Sequence, residues 1–205
     1  MRTPREGGTD QDGAGATASY FKIPVFAQPC TFAFDMSGSM REAVSRDNPK
    51  LRVDVAREEL ARTLKQLPEG TPFNIVIYRY YSEFPPQTEV QRAFAKGVQP
   101  LSARNAESAV NWLAGLKALG WGALYENLAA AVEDPEPQVI YFLSDGAPSR
   151  GEYVDRDEMV AAVAELRRFR PLVIHCVLVG GGNRDVEFMT ALAASSAGRM
   201  ADARK

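Results

Sequence analysis

From residue 30 onward, short apolar runs alternate with longer stretches in which apolar residues recur every third or fourth position. The run CTFAF at 30–34 is mostly apolar and turns abruptly polar at Asp35, as a strand buried on both faces does where it leaves a sheet. Residues 50–67 place Leu51, Val55, Leu60, Leu64 and Leu67 on one stripe opposite charges, which predicts a helix that Pro68-Glu69-Gly70 stops. FNIVIYRY at 73–80 is β-branched and aromatic and predicts a second strand. Residues 87–95, after the Pro85-Pro86 breaker, are a weaker edge strand. Helical patterns follow at 103–118 and, past Gly120-Trp121-Gly122, at 123–132, the second closed by Pro135 and Pro137. QVIYFL at 138–143 predicts a third buried strand. A helix at 155–169 follows with Val160, Val163 and Leu166 inward, then a strand at 172–179, a helix at 186–195 and a short closing strand at 198–201. This alternation predicts a doubly wound α/β fold: a mainly parallel six-stranded sheet with one antiparallel edge strand and helices on both faces.

Residues 1–19 are Gly-, Ala-, Thr- and Asp-rich with almost nothing to bury, which predicts a flexible leader ahead of a domain spanning 20–205. Tyr20 to Phe26 would tether the chain to that domain. The 205 residues are 45% hydrophobic and 24% charged, the balance of a globular domain, and the formal net charge is -2. No basic stripe interleaved with aromatics occurs, which argues against nucleic acid as a partner. The one dense basic run, Arg167-Arg168-Phe169-Arg170, sits at a predicted helix end where cations favour the dipole. Cys30 and Cys176 lie in separate strands without metal-ligand spacing and read as buried free thiols. Neither a membrane-length apolar run nor a secretion signal is visible, so the compartment expected by default is cytoplasmic.

Two of the predicted parallel strands deliver carboxylates just past their carboxyl ends, where open parallel sheets collect ligands. Asp35, Ser37 and Ser39 alternate through one loop, so a tight turn at Gly38 can aim a carboxylate and two hydroxyls at one point. Asp145, in Ser144-Asp145-Gly146, arrives from another strand. All four offer hard oxygen, the donor type that Mg2+, or Mn2+ in its place, prefers.

The segment Phe34-Asp35-Met36-Ser37-Gly38-Ser39-Met40 resembles the D-x-S-x-S signature of von Willebrand factor A domains and their metal-ion-dependent adhesion site. Leu119 to Leu128 resembles the family's next metal-site loop, Tyr141 to Gly146 its aspartate loop, and Phe188 to Ala203 its closing helix and strand. The resemblance implies a cation at Asp35, Ser37, Ser39 and Asp145 that takes an acidic side chain from a protein partner as a further ligand. It also implies kinship with small bacterial proteins that carry this domain beside other modules. The chain departs from the pattern at one ligand: where the family carries a threonine, this sequence has Gly122, beside Trp121, which is a candidate partner contact at the rim.

Enzymatic readings fit poorly. The sole histidine, His175, lies mid-strand in LVIHCVLV, so no serine nucleophile acquires a base. An aspartyl phosphatase would need an acid where Ser37 stands. Gly180-Gly181-Gly182 lacks the spacing of a dinucleotide loop and no Walker lysine follows. Two readings therefore stand, a cation-dependent binding module and a metal-free scaffold of the same fold packing against another domain of a larger protein.

Overall fold

The computed structural model describes residues 15–80, 89–146 and 148–204, with the side chains of 89 and 90 excepted. Among the described residues, ten strands and five α-helices form in the order β1 (Ala18–Tyr20), β2 (Ile23–Val25), β3 (Cys30–Phe34), α1 (Arg52–Gln66), β4 (Pro72–Tyr80), β5 (Glu89–Ala93), β6 (Gln99–Pro100), α2 (Ala103–Gly115), β7 (Trp121–Gly122), α3 (Leu124–Glu133), β8 (Val139–Ser144), α4 (Arg156–Leu166), β9 (Val173–Leu178), α5 (Asn183–Ala194) and β10 (Met200–Asp202). Residues 1–14 of the expected leader and the Pro85-Pro86 breaker lie outside the described residues.

The main sheet runs β10-β9-β8-β3-β4-β5, parallel except at the edge, where β5 pairs antiparallel with β4. These are the six expected strands. Two further two-residue strands, too short to show a periodicity, also pair antiparallel with β4: β6 with its first residues and β7 with Arg79 and Tyr80 at its far end. Because β4 projects past the end of β3, β7 closes over the carboxyl end of the central strand.

Period-two alternation decides which side chain enters which layer. Phe32, Phe34, Tyr141 and Leu143 face one side, packing with Leu60 and Leu64 of α1 and Leu113 of α2, while Ala33, Ile140, Phe142 and Ile174 face the layer of α3, α4 and α5. Each large side chain fully buried in these layers contributes about 1.5–3 kcal/mol over leaving it in water. Cys30 and Cys176 are buried free thiols that belong to opposite layers, and burial pushes the Cys30 thiol up to about 12.

Two details differ from expectation. The buried stripe of α1 is Val53, Ala56, Leu60, Thr63 and Leu64, and Leu51 is exposed, because Leu51 precedes the helix and forms an isolated β-bridge with Ala43 instead. On α4 the fully buried pair is Met159 and Val163, with Val160 only partly covered. The expected tether from Tyr20 lies in the antiparallel β1–β2 hairpin, whose Tyr20 packs edge-on against Phe32 and Tyr141; the hairpin begins at Ala18, so the last residues of the expected leader are strand, held by pairing with β2. Its turn residues Phe21 and Lys22 both take positive φ, and Ser19 and Phe21 bond to Arg62, Thr63 and Glu59 of α1.

Candidate metal centre

The strand order reverses at β3: β4 lies on one side of it and the later strand β8 on the other. The crevice past the carboxyl ends of β3 and β8 is thus the switch point of the sheet. Register does the rest. Phe34 pairs with Leu143, and the Asp35 N–H donates to the Leu143 carbonyl at 2.9 Å, so Asp35 and Ser144-Asp145 emerge side by side.

Asp35 is buried and fully engaged. Its Oδ1 accepts from the Ser37 N–H at 2.8 Å and its Oδ2 from the Ser144 hydroxyl at 2.7 Å. Burial, and then the neighbouring Asp145 carboxylate, push Asp35 up to about 6. A 3-10 turn over Gly38–Arg41 then brings Ser39 back over Ser37. Ser37 Oγ and Ser39 Oγ lie 3.1 Å apart, and the exposed Ser39 hydroxyl donates to Asp145 Oδ1 at 3.1 Å. The four predicted residues are therefore joined in one hydrogen-bonded set, graded from buried Asp35 to open Ser39.

That set suits a small hard cation. Neighbouring ligands around octahedral Mg2+, with bonds of about 2.1 Å, stand about 3 Å apart, the spacing at which Ser37, Ser39 and Asp145 already hold their oxygens. Among the described residues no three or more His, Cys, Asp and Glu side chains are grouped so that they could hold a metal ion, so a cation here would depend on the serine hydroxyls.

Gly122 also reaches the site. A Cβ built on it would stand 3.5 Å from Asp35 Oδ2, and its backbone is clamped by Ser149, which bonds to both its N–H and its carbonyl. Trp121 beside it is 41% exposed and stacks under the Arg150 guanidinium at 4.9 Å, which leaves an aromatic and a cation at the rim.

Several supporting residues escaped the sequence reading. Ser144 braces Asp35, and buried Asn127 of α3 donates to the Phe34 carbonyl at 2.9 Å. Arg79 reaches from the end of β4 to the carbonyls of Met36 and Lys117, tying the serine loop to the loop before β7. Arg52, first residue of α1, donates from Nη1 to Asp145 Oδ2 at 2.7 Å. Ser144 abuts Asp145 in the motif, but the other three carry no local signal because they arrive from distant segments.

No protein-family model matches the sequence, and no curated protein matches it by sequence. Solved structures do match the fold. A von Willebrand factor type A protein from Catenulispora acidiphila superposes with a TM-score of 0.62 at 17% identity, over 87% of this chain and 39% of that one. The SpRpn10 VWA domain gives 0.56 at 10% identity, over 85% of this chain and 87% of that domain. The pilus adhesin SpaC from Lactobacillus rhamnosus GG, in its open conformation, gives 0.57 at 12% identity, over 86% of this chain and 28% of the adhesin. The chain thus spans about two fifths of the Catenulispora protein's length. At these identities the likeness is one of fold.

Proposed function

We propose that this chain, which has the von Willebrand factor A-type fold, is a non-enzymatic binding module that holds Mg2+ or Mn2+ at Asp35, Ser37, Ser39 and Asp145 and engages an acidic group of a protein partner there. The observation that carries the reading is the file of hydroxyl and carboxylate oxygens, each 3.1 Å from the next, at the open end of the switch-point crevice. A bound cation would supply positive charge at the surface, which a partner's carboxylate could complete as a ligand. The chain's own residues do the rest: Asp35 and Ser144 stiffen the loop, Ser37 and Ser39 present hydroxyls, and Trp121 and Gly122 border the opening. One structural neighbour is described as a pilus adhesin, which supports a binding role. Among the described residues no helix is long and apolar enough to cross a membrane.

Mn2+ titration followed by calorimetry and thermal melting tests this. An ion at ten times its Kd adds about 1.4 kcal/mol, a rise of about 3–5 °C for a domain of this size. Ser39→Ala and Asp145→Asn should remove the rise. A melting temperature indifferent to millimolar Mg2+ and Mn2+ would favour the second reading, a metal-free scaffold packing against another domain. The observation on its side is that Arg52 already supplies Asp145 with a cation at 2.7 Å.

A further inference from the structure

Arg52 is the one feature of the crevice that a simple cation site does not need. Its Nη1 is shared among Asp145 Oδ2 at 2.7 Å, the exposed Glu42 Oε2 at 3.0 Å and the Ser39 carbonyl at 3.2 Å, and its side chain is only 14% exposed. The surrounding backbone is shaped to admit it. Gly180 takes φ +143, and a Cβ there would stand 2.3 Å from Arg52 Nε, so the turn after β9 leaves room for a guanidinium where any side chain would expel it. Nε itself is buried without a hydrogen-bond partner, so polar contacts hold the group only through its Nη1 edge.

The charges make the consequence concrete. Asp35 and Asp145 emerge side by side at the carboxyl ends of β3 and β8, and a divalent ion is the usual remedy for two carboxylates so placed. Here a fixed monovalent cation already answers one of them. An incoming ion meets a site one negative unit poorer than the two aspartates imply, beside a guanidinium that shares a carboxylate with it. Asp145 divides its oxygens accordingly, Oδ2 to Arg52 and Oδ1 to Ser39. Glu42, on the solvent side, offers the guanidinium a second carboxylate when Asp145 is drawn toward an ion.

We propose that Arg52 is a built-in competitor cation: it neutralises Asp145, beside buried Asp35, when no divalent ion is present and weakens the site's affinity for one. The inference rests on the cation-binding reading above and adds to it the residue that sets how tightly the ion is held.

The test is Mn2+ binding by calorimetry to the whole chain, with melting in EDTA and in Mn2+, for wild type, Arg52→Gln, Arg52→Lys and each variant combined with Ser39→Ala. Arg52→Gln keeps a hydrogen-bond donor and drops the charge. It should melt below wild type in EDTA yet bind Mn2+ roughly tenfold tighter, with binding abolished by Ser39→Ala. Arg52→Lys, which keeps the charge, should stay close to wild type in affinity. A merely structural arginine would not produce this crossing, since its loss would lower both melting curves alike. Equal or weaker Mn2+ binding by Arg52→Gln, with wild type binding in a Ser39-dependent way, overturns the inference and leaves the cation site standing. Binding by none of the proteins overturns both.

Discussion

A Cβ on Gly122 would lie 3.5 Å from Asp35 Oδ2 and 3.7 Å from Oδ1, so the place from which a threonine would present its hydroxyl to the crevice is shaped correctly and merely bare. Gly122 lies in β7 and its φ is not positive, so no backbone strain opposes a side chain there. The tightest neighbour is the flexible end of Leu124 at 3.1 Å. Gly122→Thr should therefore fold and tighten Mn2+ binding by about 5- to 30-fold, the worth of one added neutral ligand of about 1–2 kcal/mol. Calorimetric titration of the variant against wild type decides it, and an unchanged Kd would show that the hydroxyl does not reach the ion.

Asp35 is a buried carboxylate beside a second one, held by one hydroxyl and one N–H. Asp35→Asn keeps an acceptor for Ser37 and lets the Ser144 hydroxyl turn to accept, while it removes a desolvated charge. In EDTA at neutral pH the variant should be as stable as wild type or more so, by up to about 1 kcal/mol, and should lose the Mn2+ response. Paired melting curves with and without Mn2+ read both effects. A large loss of stability in EDTA would assign Asp35 a purely structural role.

His175 stacks on Tyr141 and accepts the Arg199 N–H at Nδ1, at 2.9 Å. Burial, reinforced by the Arg199 charge, lowers it to about 4. Between pH 6.5 and about 4 the unfolded chain takes up a proton that the folded chain refuses, so this residue costs stability as the pH falls through that window and costs nothing above it. Relative to His175→Gln, which cannot titrate, wild type should lose on the order of 2 kcal/mol between pH 7 and pH 4. Urea unfolding of both proteins at the two pH values measures the difference, and parallel pH profiles would contradict it.

Gly198 packs so tightly against β9 that a Cβ on it would stand 1.9 Å from the Ile174 carbonyl oxygen, a backbone atom that cannot swing aside. Gly198→Ala should cost more than about 3 kcal/mol by forcing α5 and β10 apart from β9. Denaturant unfolding checks it, and a loss under about 1 kcal/mol would show that the turn relaxes freely.

Where apolar and β-branched residues dominated, as in 30–34, 73–80 and 138–143, the strands lie where the pattern put them, because a strand buried on both faces admits few alternatives. Helix existence was equally plain, but helix face was not. The stripe counted from Leu51 began two residues before Val53, the first buried position of the helix, since capture of Leu51 by Ala43 is a tertiary event. The pairs formed by β6 and β7 left no trace in the sequence, being two residues long and dependent on the overhang of β4.

The site divides in the same way. The sequence by itself determined the four candidate donors: Asp35, Ser37 and Ser39 sit within one loop, and an acid ending a buried strand marked Asp145, because local spacing controls what a short loop can aim at one point. Only the tertiary structure decided that Arg79 and Asn127 brace the loop and that a guanidinium 93 residues away in sequence lies 2.7 Å from Asp145. Charges interact through space with little regard for chain order. What neutralises a carboxylate is therefore settled by sheet order and helix packing, which bring distant segments to the same crevice.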